Sequence, residues 1–340
     1  MSNVSQNIAG FAQKFRKMKR YLIYFSYVGK GYSGLQIQKQ PGVKTVAGAI
    51  LHAARSLRPE DICFKSSSRT DRGVHAICNT ATLDVLESQD NPVNGKKITS
   101  SLNEQFFHDK EDIRILHTRR VPLTFSARVC LSRSYLYRFC SPKTPDLSWN
   151  TPFPPMEYQK LWLLREPLDV EAMKEGAKLM SGTHDFSYFT TMRFDKEKNW
   201  RNPVKELDVQ IQECPGCLDG HVPYFKEYFN SFEAVFTSGS FLYRQIRFMM
   251  ATLTALGQGK TSLEDLHKML DNPQKYREDD PKAFNNKVPS PAYALYLRNV
   301  VYDEKDLEVS PEEAENEDLE IPSWLVNKNN RNWNVSKIES

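Results

Sequence analysis

Alternating apolar and polar positions predict strands in the first third of the chain. Residues 20–28 are rich in aromatic and β-branched side chains, and residues 62–64 form a shorter run of the same kind. Alternation at 80–85 and at 113–121 predicts two more strands. Between the first two runs, apolar residues recur at helical spacing, so a helix capped by Thr45 is expected there.

A glycine-rich stretch follows the first predicted strand. Gly29, Gly31 and Gly34 resemble a phosphate-binding loop only loosely, because the lysine-serine pair of such a loop and the helix that should follow it are missing. A turn is therefore predicted there.

Helices and strands alternate in the second half of the chain. A helix is expected over 169–180, with its first residue as the N-cap. Residues 206–212 and 231–237 alternate and predict two strands, and a last strand is expected near 300–302. The proline-rich stretch 142–167 predicts a connecting insert.

The longest helical pattern covers 241–256 and directly follows Gly239 and Ser240. Arg244 and Arg247 are three residues apart, so we expect them to be neighbours on one helix face near its start. Two arginines beside a buried apolar stripe are costly to desolvate without an anionic partner. A carboxylate or an RNA phosphate would meet that need.

Charge is distributed unevenly along the 340 residues. The formal net charge is +4, yet residues 303–320 hold ten acids and one lysine, which is −9, so the remainder carries +4 − (−9) = +13. A basic body with an acidic tail suits a polyanionic partner better than a neutral metabolite. Uneven solvation of the surface is the alternative explanation.

Composition indicates a globular chain with reduced thiols. Hydrophobic residues make up 40% and charged residues 26%, and no run of about 18 apolar residues predicts a membrane span. Six scattered cysteines are too few for a disulfide framework. Cys214 and Cys217 form a CxxC with His221 nearby, which allows a zinc site, but a turn set by Pro215 and Gly216 is the preferred interpretation. No metal site is therefore predicted.

The first 19 residues form a basic lead. No acidic residue occurs before Glu60, and the apolar positions Ile8, Phe11 and Phe15 have helical spacing. This pattern is compatible with a mitochondrial presequence, so a mitochondrial location is expected. The alternatives are a basic arm that contacts RNA in the cytoplasm, or a nuclear signal.

The segment 67–76 holds the strongest candidate for catalysis. Asp71 lies between Arg69 and Arg72, with His75 just after it, on a loop between two predicted strands. Rigid flanking strands allow such a loop to hold one side chain in a cleft. Taken alone, a loop-capping aspartate is the preferred interpretation of Asp71.

A second candidate is the predicted strand 133–137. Arg133, Tyr135 and Tyr137 share one of its faces, because side chains alternate along a strand. A basic and aromatic stripe is suited to stack a base and to hold its phosphate. The same stripe is also typical of a half-buried sheet surface.

These residues fall into sequence blocks that resemble the tRNA pseudouridine synthases of the TruA family. In chain order, the blocks are Ser68-Arg-Thr-Asp-Arg-Gly-Val-His75, Phe125-x-Ala-Arg128 with Arg133-x-Tyr135-x-Tyr137, Gly182-x-His-Asp-Phe186, and Ser240-Phe-Leu-x-x-Gln-Ile-Arg247 with Gly257-x-Gly259-Lys260. They extend over about 20–302. The run Phe-Leu-Tyr-Arg-Gln resembles most the eukaryotic tRNA pseudouridine synthase-like branch.

The resemblance implies an α+β fold of two related α/β halves, whose mainly antiparallel sheets join across a central basic RNA-binding cleft. The expected domains are a lead at 1–19, an N-terminal half at 20–128 with the catalytic loop, a C-terminal half at 129–302, and an acidic, disordered tail at 303–340. Bacterial relatives suggest a homodimer by analogy.

The resemblance further implies isomerisation of uridine to pseudouridine in the anticodon stem-loop of tRNA, without a cofactor. By this analogy Asp71 is the catalytic carboxylate, Tyr135 stacks on the target base, and Arg247 pairs with Asp71. Arg69 and Arg133 are candidate substrate-binding residues.

One position departs from the family pattern. The family usually has alanine after the catalytic aspartate, and this chain has Arg72. Arg72 is expected either to crowd the base or to point outward and bind a phosphate. A catalytically silent RNA-binding protein on the same fold is therefore the alternative, and a cofactor-free hydrolase using Asp71 and His75 is a third possibility.

Overall fold

The computed structural model describes most of the chain, with gaps. The described residues are 17–57, 62–87, 93–145, 153–192, 202–214, 223–279 and 287–309. The predicted lead up to residue 16, Cys217 and His221 of the possible zinc site, and the acidic tail beyond residue 309 lie outside them.

The described strands form one sheet of ten strands. They are β1 Lys17–Tyr27, β2 Cys63–Ser66, β3 His75–Glu87, β4 Ile113–Val121, β5 Ser132–Pro142, β6 Trp162–Leu163, β7 Gly182–Asp185, β8 Val204–Glu213, β9 Phe229–Ser238 and β10 Leu295–Val301. The main order is β4-β1-β3-β10-β5-β9-β8-β7, with β2 on β3 and β6 on β5. All pairings are antiparallel except β3 with β10 and β5 with β6. The predicted mixed fold with a mostly antiparallel sheet is confirmed.

Helices pack against this sheet and on one another. They are α1 Val46–Ala54, α2 Gly95–His108, α3 Val170–Met180, α4 Pro223–Tyr228, α5 Gln245–Gly257, α6 Leu263–Asp271, α7 Pro273–Asp279 and α8 Glu304–Leu307. In the first half, α2 packs on β4 and α1 packs on α2. In the second half, α3 packs on β8, α5 and α6.

Local sequence explains where several helices begin. Thr45 and Asp169 cap α1 and α3, because each side-chain oxygen accepts a hydrogen bond from a backbone N–H in the first turn. Such a cap contributes about 1 kcal/mol to stability. Both predicted helix starts are confirmed.

The start of α5 differs from the prediction. The helix begins at Gln245, because Arg244 adopts a left-handed conformation with φ of 58° and so cannot extend it. Arg244 and Arg247 are therefore not neighbours on one helix face, and that expectation was wrong. The helix has 13 residues, whereas α2 has 14.

The central strand of the sheet comes from the end of the chain. β10 lies between β3 and β5, so all strands from residues 17–121 are on one side of it and those from 132–238 are on the other. One large core of buried apolar side chains extends through both sides. The sheet is thus continuous across the predicted boundary at 128.

The acidic tail begins with ordered structure. Asp303 caps the short helix α8, and Leu307 is 2% exposed in the main core. Glu304 lies 3.4 Å from Arg119. The expectation of disorder from residue 303 was therefore wrong for these first residues.

None of the described helices is long and apolar enough to cross a membrane.

Candidate active site

Asp71 lies on the loop 67–74, which leads directly into β3. The amide of Val74 donates to the Asp71 carbonyl at 3.1 Å, and Gly73 between them has a φ of +80° that glycine adopts without strain. Below the loop, the Tyr27 hydroxyl contacts Thr70 Oγ1 at 2.7 Å. A tight turn and a buried hydrogen bond therefore hold the backbone around Asp71.

A neighbouring glycine-rich turn supports the loop from the side. Gly29–Gly31 forms a single 3₁₀ turn, which agrees with the predicted turn rather than a phosphate-binding loop. A Cβ atom on Gly29 would lie 2.1 Å from the Val74 carbonyl oxygen, so only glycine permits this approach. The Leu35 amide also donates to the Thr70 carbonyl at 3.1 Å.

Arg247 meets Asp71 as the resemblance implied. Its Nη1 lies 3.6 Å from Asp71 Oδ2, and its Nε donates to the Ser290 carbonyl at 2.7 Å. The guanidinium side chain is 13% exposed and the carboxylate 25%, so Asp71 remains open to the solvent. Burial lowers the pKa of Arg247, and the nearby Asp71 carboxylate opposes that effect.

Tyr135 presents a buried phenol to the same site. Burial raises the pKa of Tyr135 to about 12, although a hydrogen bond with Ser68 and the charge of Arg133 partly oppose the shift. The ring therefore stays neutral at physiological pH. The Phe241 ring packs against it edge-on, with the centroids 5.2 Å apart.

Arg133 is occupied by the protein itself. Its guanidinium donates to Ser68 Oγ at 2.9 Å and to the carbonyls of Ser67, Arg128 and Gly239. An arginine has five N–H donors, so one remains for another partner. Arg133 thus ties the Asp71 loop to the segment before α5, and its role as a substrate contact stays a prediction.

Arg69 and Arg72 are exposed at the mouth of a cleft of about 900 Å³. All six predicted site residues line this cleft. We call it the Asp71 cleft, and its lining consists of residues 33–38, 66–72 and 239–247 with Val74, Arg128, Arg133, Tyr135 and Leu295. The lining contains six arginines, and Asp71 is its single carboxylate. The cleft is therefore strongly cationic around one acid, which suits a polyanionic ligand.

His75 does not join Asp71. It is the first residue of β3, it stacks on Tyr296 with the centroids 4.7 Å apart, and it lines a separate cavity. Its Nδ1 accepts a hydrogen bond from the Gly29 amide at 3.1 Å, and burial lowers its pKa. The Asp71 and His75 pair that a hydrolase would need is therefore not formed.

Three further residues belong to the site. Ser68 and Tyr243 carried no predicted role, whereas Arg244 was expected beside Arg247 with an anionic partner. Ser68 is buried and links Arg133 to the loop, and Tyr243 and Arg244 line the cleft just before α5. Their membership in the sequence blocks was the available signal, but it did not show which side chains point inward. Within the described ranges, no group of three His, Cys, Asp or Glu side chains is placed to hold a metal ion.

A loop that presents one carboxylate inside a cationic cleft is the arrangement expected of an enzyme that acts on a polyanion such as RNA. Comparison with known proteins gives the same class. Residues 177–303 match a family model described as tRNA pseudouridine synthase.

Curated relatives match most of the chain. "tRNA pseudouridine synthase-like 1" of Xenopus laevis is 34% identical over 298 residues, which cover 85% of this chain and 93% of the relative. The Homo sapiens protein of the same name is 33% identical over 291 residues, with coverage of 83% and 90%. "tRNA pseudouridine synthase A 2" of Clostridium tetani is 28% identical over 279 residues, with coverage of 81% and 96%. The chain belongs to the tRNA pseudouridine synthase family.

Proposed function

We propose that this protein isomerises uridine to pseudouridine in the anticodon stem-loop of tRNA, with Asp71 as the catalytic carboxylate and no cofactor. The observation that carries the proposal is the meeting of Asp71, Tyr135 and Arg247 in one cationic cleft. These residues come from a loop, a strand and a helix that are distant in the sequence.

The reaction explains why a carboxylate is needed. The C1′–N1 glycosidic bond of the target uridine breaks, a C1′–C5 bond forms to the same ring, and a proton leaves C5 while N1 gains one. Asp71 either attacks C1′ or removes a proton next to it, and later helps to restore that centre. Both routes require an ionised carboxylate, and the guanidinium of Arg247 at 3.6 Å stabilises that charge.

Tyr135 is suited to hold the detached uracil. Its ring is neutral and fixed by Phe241, and base stacking on such a ring tolerates rotation in the plane of the base. The target base must leave its stack to reach the cleft. In this proposal Arg69 and Arg72, which are exposed and line the cleft, bind phosphates of the RNA next to the displaced base.

The test is the variant Asp71→Asn. We expect pseudouridine formation to fall by roughly 10³-fold or more, because the amide can neither attack nor accept the proton. The affinity for tRNA should change little, since Asp71 contributes no positive charge. Asp112→Asn is the matched control, because Asp112 is exposed and lines a different cavity. Activity retained by Asp71→Asn would refute the assignment.

The alternative is a catalytically silent RNA-binding protein. The observation behind it is Arg72, an exposed cation directly after Asp71 where the family usually has alanine. Wild-type protein should be incubated with tRNA that carries tritium at uridine C5. Release of tritium supports the enzyme, whereas tRNA binding without release supports the silent protein.

Three further parts of the proposal extend beyond the site. We take the strands on the two sides of β10 as related halves. By analogy we also propose a homodimer, and light scattering after gel filtration measures the molar mass that tests it.

We also propose a mitochondrial location from the basic lead before Tyr21. A reporter fused to residues 1–20 tests it, and a diffuse cytosolic signal would contradict it.

A further inference from the structure

The segment that connects β9 to α5 presents an aromatic ring and a cation side by side. Tyr243 is 44% exposed, and it lines the Asp71 cleft. The guanidinium carbon of Arg244 lies 4.8 Å from the centroid of the Tyr243 ring. An exposed aromatic ring next to an arginine is the composition with which proteins bind single-stranded nucleic acid.

The backbone holds this pair in place at an energetic cost. Arg244 has a φ of 58° and a ψ of 10°, a left-handed conformation that glycine adopts freely and that arginine rarely adopts. Two hydrogen bonds fix the turn: Thr190 Oγ1 donates to the Tyr243 carbonyl at 2.7 Å, and the Phe248 amide donates to the Arg244 carbonyl at 3.1 Å. A strained residue that its surroundings hold fixed is typical of a functional site.

Arg244 also lacks a counter-charge within the described part of the chain. Its Nε is buried and has no hydrogen-bond partner there. Its charge adds to the cationic field on Arg247, whose pKa it helps to lower. Asp71 is the single carboxylate of the cleft and already pairs with Arg247. An anion supplied by a ligand would satisfy Arg244.

We propose that Tyr243 and Arg244 form a second nucleotide subsite beside the catalytic one. The Tyr243 ring stacks on the base of a nucleotide that flanks the target uridine, and Arg244 binds the phosphate of that nucleotide. Stacking accepts any base, so the subsite orders the strand rather than reading its sequence. That the ligand is RNA rests on the proposed function. The contact between Tyr243 and Arg244 in the cleft is observed independently of it.

Equilibrium binding of an unmodified anticodon stem-loop RNA tests the stacking. Tyr243→Ala should weaken binding by roughly 10-fold, because one base loses its stacking partner. Tyr243→Phe keeps the ring and should bind like the wild type. Equal affinities for wild type and Tyr243→Ala would overturn the stacking role.

Salt dependence of the same binding tests the phosphate contact. Arg244→Gly should lower the slope of log K against log salt by about 0.7–0.9, the value for one phosphate contact. The melting temperature of this variant should not fall, because glycine relieves the left-handed strain. Arg298→Ala removes an exposed arginine of β10 outside the cleft, and its slope should match the wild type. An unchanged slope for Arg244→Gly would overturn the phosphate role.

The isomerase assay separates this inference from the proposed function. If wild-type protein binds the RNA but forms no pseudouridine, the proposed function fails, and the two variants still decide the subsite. If the wild type forms pseudouridine and both variants bind as tightly as it does, the subsite is wrong and the proposed function stands.

Discussion

At the scale of single residues, the arginines of the Asp71 cleft have different roles. Arg133 donates four hydrogen bonds within the protein and positions the loop. Arg247 pairs with the carboxylate, whereas Arg69 and Arg72 are exposed at the mouth. Residue type alone does not separate these roles, because a guanidinium serves structure or substrate according to which acceptors surround it.

His75 gives a prediction on pH at the same scale. Its Nδ1 accepts a hydrogen bond, so the folded protein requires the neutral imidazole, and burial keeps its pKa below the ordinary value of 6.5. As the pH falls through about 6.5, the unfolded chain binds this proton before the folded chain does, so stability is lost. We expect the melting temperature of the wild type to fall over this range.

The variant His75→Asn isolates that contribution. The asparagine oxygen can accept from the Gly29 amide and does not titrate, so the pH dependence should flatten. His117 is half-buried, which lowers its pKa, and it remains in the variant, so part of the slope should persist. Identical pH profiles for variant and wild type would rule out a role of His75 in acid sensitivity.

At the scale of elements, the position of the Asp71 loop depends on the neighbouring turn Gly29–Gly31. The sequence predicted this turn but not its contact with the loop. The turn Gly29–Gly31 contacts the loop where it enters β3, and no side chain fits between them. Three glycines close together predicted a turn, but not what lies beside it. Close backbone approach is a tertiary property, and a glycine pattern shows only that it is sterically allowed.

Gly29→Ala should therefore displace the Asp71 loop. The added Cβ would lie 2.1 Å from the Val74 carbonyl oxygen, so we expect a loss of stability of about 1–3 kcal/mol and a larger loss of activity than of tRNA affinity. Gly31→Ala is the matched control, because its Cβ would have no neighbour within 4 Å. Chemical denaturation and the tritium-release assay measure the two effects, and equal behaviour of both variants would contradict the argument.

At the scale of the whole molecule, the joining of β3 to β10 assembles the site. Ala76 of β3 pairs with Leu297 of β10, which in turn pairs with Tyr135 of β5. The Asp71 loop directly precedes β3, so this register brings Asp71 and Tyr135 into the same cleft. A strand from the end of the chain thus connects segments that are distant in sequence.

The core extends past that strand into the first residues of the acidic tail. Leu307→Ala should lower the free energy of unfolding by about 2 kcal/mol, because Leu307 is 2% exposed and its removal leaves a cavity. Leu123→Ala, at a position that is 48% exposed, should cost much less. Urea denaturation of both variants checks this, and equal stabilities would mean that α8 contributes nothing to the core.

The sequence by itself determined the elements and the candidate acid of this protein. Alternation and capping are local properties, so the strand at 113–121 and the helices capped by Thr45 and Asp169 were predictable from short windows. The blocks around Asp71 and Arg247 likewise indicated the family and the residues that meet in the cleft.

Only the tertiary structure decided how the remaining residues are used. Arg133 turned inward, His75 faced another cavity, and Arg244 took a left-handed conformation that shortened α5. Each outcome depends on contacts between segments far apart in the chain, such as the pairing of β3 with β10. The period of a strand or helix sets which face a side chain occupies, but the register of distant pairings sets what that face meets.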